Sequence, residues 1–182
     1  IDQYLEGSYE FLLNNSKYAV TQDFHWKSLN EFFENIGKKL NKKIFIAGHH
    51  RRDKNIKINT DHKVFYSQTS NLIRNASLVL VHNSIALSYA ILFKKPILFI
   101  TTDEIKKFSI EIDFSIKKFA DVLKTKPINI NNFKNFDNHN FLKFDEEAYQ
   151  LWIENYIKSP DSKNKDLWLD FIKLVEKENL KI

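Results

Sequence analysis

Residues 78–100 read LVLVHNSIALSYAILFKKPILFI, in which two apolar runs flank a segment with helical spacing. The first run, Leu78–Val81, and the last, Ile97–Ile100, are each too short for a helix and suit strands that are buried on both faces. Between them, Asn83 or Ser84 is predicted to cap a helix that ends before Pro96. A strand, a helix and a second strand in this order predict a right-handed crossover between parallel strands.

The same alternation of strand and helix continues on both sides. Upstream, the pattern predicts strands at 18–21, 44–47 and 64–66, a helix over 26–40 and a short helix capped at 69–71. Downstream, it predicts amphipathic segments after Thr101, a strand at 128–130, an exposed loop at 129–140, and helices around Trp152 and Trp168 separated by residues 159–161. We therefore predict an α/β protein with a Rossmann-like parallel sheet, helices on both faces of that sheet and C-terminal helices.

Length and composition suit one domain. The chain has 182 residues, of which 43% are apolar, enough for one ordinary core. We interpret residues 1–182 as a single domain, in which 1–15 form a linker or an entering helix and 144–182 the C-terminal helices. The chain has no Met, even at position 1, so we expect it to be a fragment of a longer two-domain protein.

Two further absences in the sequence narrow the class of protein. No run approaches the roughly 20 apolar residues that a membrane-spanning helix needs. The chain has no Cys, which excludes disulfides and thiolate zinc sites and fits the reducing cytoplasm.

The charge of the chain admits two interpretations. The formal net charge is +5 and the pI is near 9.2, but the lysines are scattered and 23 acidic residues are mixed among them. This pattern is typical of a solvated surface. It would instead indicate a basic module for nucleic acid or anionic membrane if the basic residues at 38–43 and 51–54 folded onto one face with exposed aromatic side chains.

Arginine is placed selectively. Among 28 basic residues, the only three arginines lie within residues 51–74. Two of them follow an apolar strand directly, in the segment GHHRR at 48–52. The planar guanidinium carries five donors and can bind phosphate oxygens in pairs. The sequence therefore predicts a bound anion at the end of this strand.

Polar residues follow each of four predicted strands, at 48–52, 67–69, 82–84 and 101–104. Because the carboxyl ends of parallel strands meet at one edge of the sheet, ligands usually bind there. We predict an anion site composed of Gly48, His49, His50, Arg51, Arg52, Thr69, His82, Asn83 and Ser84.

Two of these positions suggest a specific mechanism. The missing side chain of Gly48 would let the backbone turn or approach a ligand closely. The hydroxyl of Ser84, the free amides of the helical turn that follows it and the helix dipole would hold a phosphate. Simple N-capping by Asn83 or Ser84 is the alternative, and it needs no ligand.

The histidines also have an alternative interpretation. His49, His50 or His82 could each be a partly buried side chain that is hydrogen-bonded to a loop carbonyl. No carboxylate or thiol lies near them at metal-ligand spacing, so no metal is predicted. The sequence has no P-loop, dinucleotide fingerprint, nucleophile elbow or paired-carboxylate motif, so no cofactor is predicted, and residues 103–104 are expected to begin a helix.

A resemblance to a known family rests on three segments. Residues 42–52, KKIFIAGHHRR, resemble the strand and following His-Pro-Arg loop of bacterial surface-polysaccharide glycosyltransferases with the GT-B fold. Residues 70–96 are similar to the family stretch in which a strand ends in Ser and a helix runs to Gly-Lys-Pro, and the aromatic residues at 149–156 with Pro160 resemble its C-terminal helices. The chain differs from the family at His50, which replaces a proline, and at Tyr89, where many members have a ribose-binding Glu.

The resemblance covers residues 16–160 and implies the C-terminal, donor-binding half of a GT-B enzyme. His49 and Arg51 would face the diphosphate or phosphate of a UDP-, CMP- or GDP-linked sugar, and Ser84 would hold another phosphate oxygen. A missing N-terminal domain would supply the catalytic base and the glycan or lipid-linked acceptor. The resemblance further implies polysaccharide biosynthesis for capsule or lipopolysaccharide, in the cytoplasm or at the inner face of the membrane, without metal, cofactor or nucleic acid.

Two rival functions remain open at this point. A nucleotide-sugar 2-epimerase resembles the same fold and uses a similar Ser-containing helix start, but the Gly pair and acidic pair of that family do not follow Ser84. A non-enzymatic basic module for nucleic acid or anionic membrane is the other, and steep salt dependence without nucleotide competition would distinguish it.

Overall fold

The computed structural model describes residues 1–7, 18–53, 55, 57–132 and 141–158. The strands are β1 (Phe45–Gly48), β2 (Lys63–Tyr66), β3 (Val79–Val81), β4 (Ile97–Thr101) and β5 (Ile128–Asn129). The helices are α1 (Gln22–Leu40), α2 (Thr69–Asn75), α3 (Leu87–Leu92), α4 (Asp103–Phe108), α5 (Ile110–Val122) and α6 (Glu146–Trp152). A 3₁₀ turn at Ile130–Asn132 follows β5, and a π-helix at Ile153–Ile157 follows α6.

The strands pair in parallel and form two small sheets. β1 pairs with β2, and β3, β4 and β5 form the second sheet in that order. Phe45 lies opposite Lys63 in the first sheet, and Val79 lies opposite Ile97 in the second. The sequence predicted one parallel sheet, whereas the described residues form two, and β1 and β3 are each at an edge of their sheet.

The burial of β4 shows how helices cover the sheet on both sides. Every residue of β4 is buried, and its side chains alternate between two hydrophobic clusters. Ile97 and Phe99 pack with residues of α3, α5 and α6, whereas Leu98 and Ile100 pack with residues of α1. Since successive side chains of a strand point to opposite faces, both faces are covered by helices. The predicted α/β class, with parallel strands and helices on both sides, is confirmed.

The strand predicted at 18–21 is wrong. These residues form a bend that leads into α1, although Ala19 and Val20 are buried as in a strand. The Thr21 hydroxyl donates to Glu104 Oε1 at 2.7 Å, and the Thr21 N–H also donates to this carboxylate. A side chain, and not a neighbouring strand, therefore holds this backbone. The helix that follows is confirmed, with its apolar positions buried on one face: Trp26, Leu29, Phe32, Phe33 and Ile36.

The starts of the helices differ in how they are capped. α2 and α3 begin without a side-chain cap hydrogen bond, so the caps predicted at 69–71 and 83–84 are wrong. Thr102 does cap α4, since its Oγ1 accepts a hydrogen bond from the N–H of Ile105 at 3.1 Å. Residues 103–104 therefore begin a helix, as predicted.

At the C-terminal end, α6 confirms the helix that was predicted around Trp152. The predicted helix around Trp168, the separator at 159–161, residues 133–140 of the predicted loop and residues 8–15 of the predicted linker lie outside the described residues. Among the helices of the described ranges, none combines the length and the apolar content that crossing a membrane requires.

Candidate anion-binding site

Seven of the nine predicted site residues line one cavity of about 910 Å³, which we call the cleft: Gly48, His49, His50, Arg51, Thr69, Asn83 and Ser84. The rest of its wall consists of residues 1–3, 5, 47, 67, 85–86 and 107–112. The segments at the carboxyl ends of β1, β2 and β3 thus meet at one cavity. This is the edge at which parallel sheets usually bind ligands.

Gly48 ends β1, where a side chain has no room. A Cβ atom at this position would lie 2.6 Å from a ring carbon of Tyr66 and 3.0 Å from a methyl carbon of Val64. Both neighbours belong to β2, so packing between the paired strands by itself requires glycine here. The sequence predicted a glycine that admits a ligand, whereas the space beside it is filled by Tyr66.

His49 is half-buried and its backbone is fixed by the amino-terminal segment. Its N–H donates to Asp2 Oδ2 at 3.2 Å, and its Nδ1 accepts a hydrogen bond from the N–H of Arg51 at 3.3 Å. Burial and the neighbouring His50 hold the pKa of His49 below its usual value. Because Nδ1 is the acceptor, the neutral ring carries its proton on Nε2. His49 is therefore a neutral donor in the wall of the cleft.

Charged side chains at the mouth of the cleft are mixed in sign. His50 and Arg51 are exposed, and so is Lys107 at the end of α4. Glu111 contributes a carboxylate from the first turn of α5. A ligand in the cleft would meet two cations that lie far apart in the sequence, Arg51 and Lys107.

Arg52 does not line the cleft, contrary to the prediction. Its side chain is 4% exposed and forms ion pairs with two carboxylates. Nε donates to Asp2 Oδ2 at 2.9 Å, and one terminal nitrogen donates to Asp2 Oδ1 at 3.0 Å and to Glu6 Oε1 at 2.6 Å. The guanidinium also lies 4.4 Å from the ring centroid of Tyr4. With its donors committed to this cluster, Arg52 holds the amino-terminal segment in place.

The contact with Arg52 changes the pKa of Asp2. Burial by itself would raise the pKa of Asp2, but the hydrogen bonds and the charge of Arg52 bring it below its ordinary value. Asp2 is therefore ionised and its charge is paired, although it forms part of the cleft wall.

His82 is also turned away from the cleft. It is 3% exposed, and its Nδ1 lies 2.7 Å from the carbonyl oxygen of Ile100, to which it donates. Its ring centroid lies 5.8 Å from that of His25. Burial, with a smaller contribution from His25, lowers the pKa of His82 to about 3. For this residue the alternative interpretation, a buried histidine hydrogen-bonded to a carbonyl, describes the geometry.

The segment after β3 offers fewer donors than predicted. The N–H of Ala86 donates to Ser84 Oγ at 3.3 Å, and the N–H of Leu87 donates to the carbonyl of Ser84 at 3.0 Å. The next two amides also donate within the segment. The amides of residues 86–89 are therefore not available, and α3, with six residues, starts only at Leu87. The Ser84 hydroxyl proton remains as a donor from this loop.

Asn83 is engaged by the amino-terminal segment. Its N–H donates to Gln3 Oε1 at 3.0 Å, and Gln3 Nε2 donates back to Asn83 Oδ1 at 2.6 Å. This reciprocal pair positions the loop after β3 against the amino-terminal segment. The backbone N–H and the side-chain oxygen of Asn83 are thus engaged within the protein.

The sequence analysis missed two parts of the cleft wall. Residues 1–3 are held in the cleft wall by hydrogen bonds to residues far away in the sequence, and no local sequence pattern predicts such contacts. Residues 107–112 line the cleft because the helical conformation is interrupted at Ser109, between α4 and α5. The sequence across this point is continuously amphipathic and does not indicate the interruption. Ser67 could have been found, since it directly follows β2 in a segment already noted as polar.

The cleft wall carries hydrogen-bond donors that suit an anion. They include the guanidinium of Arg51, the ammonium of Lys107, the ring N–H of His49 and the hydroxyls of Thr69 and Ser84. Within the described ranges, no three His, Asp or Glu side chains are grouped closely enough to hold a metal ion. Comparison with known proteins adds no further constraint: no family model matches the chain, and neither a curated protein nor a solved structure is significantly similar to it.

Proposed function

We propose that the cleft binds the diphosphate of a nucleotide-sugar, and that the chain is the donor-binding part of a GT-B-type glycosyltransferase. One observation carries the proposal. Segments from three different strand ends, which the sequence singled out for phosphate chemistry, line the same cavity. Arg51, His49 and Ser84 come from two of these segments and would donate to the phosphate oxygens from two sides.

The size and charge of the cleft support a ligand of this class. Its volume of about 910 Å³ lies in the upper part of the range of roughly 300–1,000 Å³ that is usual for small-molecule sites. Of the two acidic residues among the described residues that line the cleft, Asp2 is paired with Arg52. An incoming phosphate would meet Arg51 and Lys107 together with the carboxylate of Glu111.

The proposed chemistry is electrostatic. As the bond between sugar and diphosphate breaks, negative charge grows on the departing nucleotide, and fixed donors stabilise that charge. Arg51 supplies a permanent positive charge, and His49 supplies a neutral N–H whose tautomer is set by its contact with the Arg51 amide. The catalytic base and the glycan or lipid-linked acceptor belong to another domain in this proposal, and the product is a bacterial surface glycan.

A basic module for nucleic acid or membrane has less support. The lysines at 38–43 precede β1, whereas Arg51 follows it, so the strand separates them. A four-residue strand spans about 13 Å. The basic residues therefore lie toward opposite ends of β1 and do not gather at one edge.

Calorimetric titration with UDP, CMP, CDP and GDP at moderate salt tests the proposal. We expect selective binding of one nucleotide, weakened about tenfold or more in Arg51→Ala because a charged hydrogen-bond donor is lost. Ser84→Ala should weaken it about two- to tenfold. The matched control is Arg74→Ala, which removes the same charge from α2 outside the cleft and should leave affinity unchanged.

Two results would count against the proposal. If a folded chain binds none of the four nucleotides, the cleft is not a nucleotide site. If Arg74→Ala weakens binding as much as Arg51→Ala does, the interaction is a general charge effect, as expected of a polyanion-binding module. Sugar transfer by this chain alone would contradict the assignment of the base to another domain.

A further inference from the structure

A second cavity, which we call the slot, lies between the two sheets. Its volume is about 600 Å³, and residues 45–47 of β1 and 78–80 at β3 line it from two sides. α1 and α2 supply most of the remaining wall, and residues 1–3 close one end. The slot thus runs along the two edge strands, within the layer of the sheets.

The backbone at one end of the slot is already bonded as a strand. The Ile1 nitrogen donates to the carbonyl of Leu80 at 2.8 Å, and the next nitrogen, that of Asp2, donates to the carbonyl of Ala47 at 3.0 Å. Successive peptide groups of an extended chain point in opposite directions, so this pattern belongs to a strand with a neighbour on each side. Residues 1–2 therefore lie between β1 and β3 and form one backbone hydrogen bond to each of them.

The chain direction of residues 1–3 is parallel to that of β1 and β3. The side chain of Asp2 accepts a hydrogen bond through Oδ2 from the N–H of His49, just after β1, and the side chain of Gln3 accepts one through Oε1 from the N–H of Asn83, just after β3. The segment thus advances with β1 and β3 toward their carboxyl ends. The slot extends the other way from Ile1, beside residues 45–46 and 78–79.

We propose that the slot accepts one further parallel strand, an apolar extended segment of polypeptide that lies between β1 and β3 and continues into Ile1. Its side chains would be apolar on both faces because apolar residues of α1 and of α2 line the slot and belong to the two different hydrophobic clusters. It would join the two sheets in the order β2, β1, inserted strand, β3, β4, β5. This is a doubly wound order with the inserted strand at its centre.

Two further observations support an inserted strand. Backbone groups at the inner edges of β1 and β3 face the slot, and such groups are almost always paired when they lie in an interior. Burial also lowers the pKa of the Ile1 ammonium to about 6. A peptide N–H in the same place would donate to Leu80 with no charge to desolvate. This inference does not depend on what the cleft binds.

The test is to extend the chain before Ile1 by five residues, Val-Ile-Val-Leu-Val, and to compare it with a Gly-Ser-Gly-Ser-Gly extension. We expect the apolar extension to raise the melting temperature by at least about 5 °C over the control. Amide exchange should slow about tenfold or more at Ala47 and Leu80, whose carbonyls face the slot. The amide of Val79, which already donates to Pro96, should change less and serves as the internal reference.

Two more extensions make the result decisive. Val-Thr-Val-Thr-Val keeps the strand propensity with less apolar surface and replaces the first extension if that one is insoluble. Val-Pro-Val-Pro-Val removes two N–H groups on the side that faces β3, so it should raise the melting temperature less than Val-Ile-Val-Leu-Val does. Equal melting temperatures and equal exchange for the strand-forming and Gly-Ser extensions would overturn the inference. An equal rise in melting temperature with the proline extension would do so too.

Discussion

The cleft and the layer of side chains directly behind it are built from the same residue types, with opposite environments. We call the second region the buried polar layer and define it as Asp2, Glu6, His25, Arg52 and His82. Arg51 is exposed at the mouth of the cleft, whereas its neighbour Arg52 is 4% exposed and bonded to two carboxylates. His49 is half-buried in the cleft wall, whereas His82 is 3% exposed. The residue type alone therefore does not identify a binding residue.

The difference between the two regions lies in where their hydrogen-bond partners come from. Arg52 bonds to Asp2 and Glu6, which are 50 and 46 residues away along the chain. The Nδ1 atom of His49 accepts its hydrogen bond from a residue two positions away. The distant carboxylates fix the Arg52 side chain in the interior, whereas the His49 ring, whose Nδ1 bonds locally, keeps its Nε2 proton for a ligand.

The largest expected effect separates the two arginines. Arg52→Ala leaves Asp2 and Glu6 as buried carboxylates without their cation, which typically costs about 3–5 kcal/mol of unfolding free energy. Arg51→Ala should change stability by less than about 0.5 kcal/mol, because its side chain is exposed. Urea unfolding of both variants measures the contrast, while nucleotide titration should show the reverse order of effects for any variant that stays folded.

A compensated variant checks the cause. Arg52→Met combined with Asp2→Asn and Glu6→Gln removes the charges together, and it should recover most of the stability that Arg52→Ala loses. If Arg52→Ala costs no more than Arg51→Ala, the buried ion pairs do not hold the amino-terminal segment. The distinction between the two regions would then fail at its strongest point.

The sequence could predict elements whose signal is local, and it failed where the signal is tertiary. The apolar runs at 44–47, 64–66, 78–81 and 97–100 predicted strands correctly. The reason is clearest for β4, since a strand that is buried on both faces must be apolar throughout. The position of polar residues just after these strands predicted seven of the residues that line the cleft. Both signals depend only on neighbours in the chain.

The failures share one physical cause. Whether an arginine or a histidine after a strand faces ligand or core depends on partners that fold in from elsewhere. Asp2 reaches Arg52, and the carbonyl of Ile100 reaches His82, across 50 and 18 residues. The bend at 18–21 is held in the same way by Glu104. No spacing rule within a window of a few residues contains this information.

The next expected effect separates the histidines by their pH dependence. Burial lowers the pKa of His82 to about 3 and that of His25 to about 4, from the ordinary value near 6.5. Between these values the unfolded chain binds protons that the folded chain does not, so stability is complete above pH 6.5 and falls as the pH drops toward 4. Each of the two histidines contributes a slope of about 1.4 kcal/mol per pH unit in this window.

A pair of variants assigns the slope. His82→Asn should reduce the slope between pH 6 and about 4.5 by one proton's worth, whatever its effect on stability at neutral pH. His49→Asn should reduce it less, because His49 is only half-buried and its pKa is lowered less strongly. Urea unfolding at four or five pH values measures both. An unchanged slope in His82→Asn would mean that this ring is not buried in its neutral form.

The smallest expected effect separates two hydroxyls at the starts of helices. Thr102 Oγ1 accepts the N–H of Ile105 at 3.1 Å in a side-chain cap, so Thr102→Ala should cost about 1 kcal/mol. Ser84 Oγ accepts the N–H of Ala86 at 3.3 Å in a turn before α3, and Ser84→Ala should cost less than about 0.5 kcal/mol while weakening nucleotide binding. Thermal unfolding with and without nucleotide measures both quantities. Should Ser84→Ala cost as much stability as Thr102→Ala and leave binding intact, then Ser84 stabilises its turn and has no part in the cleft.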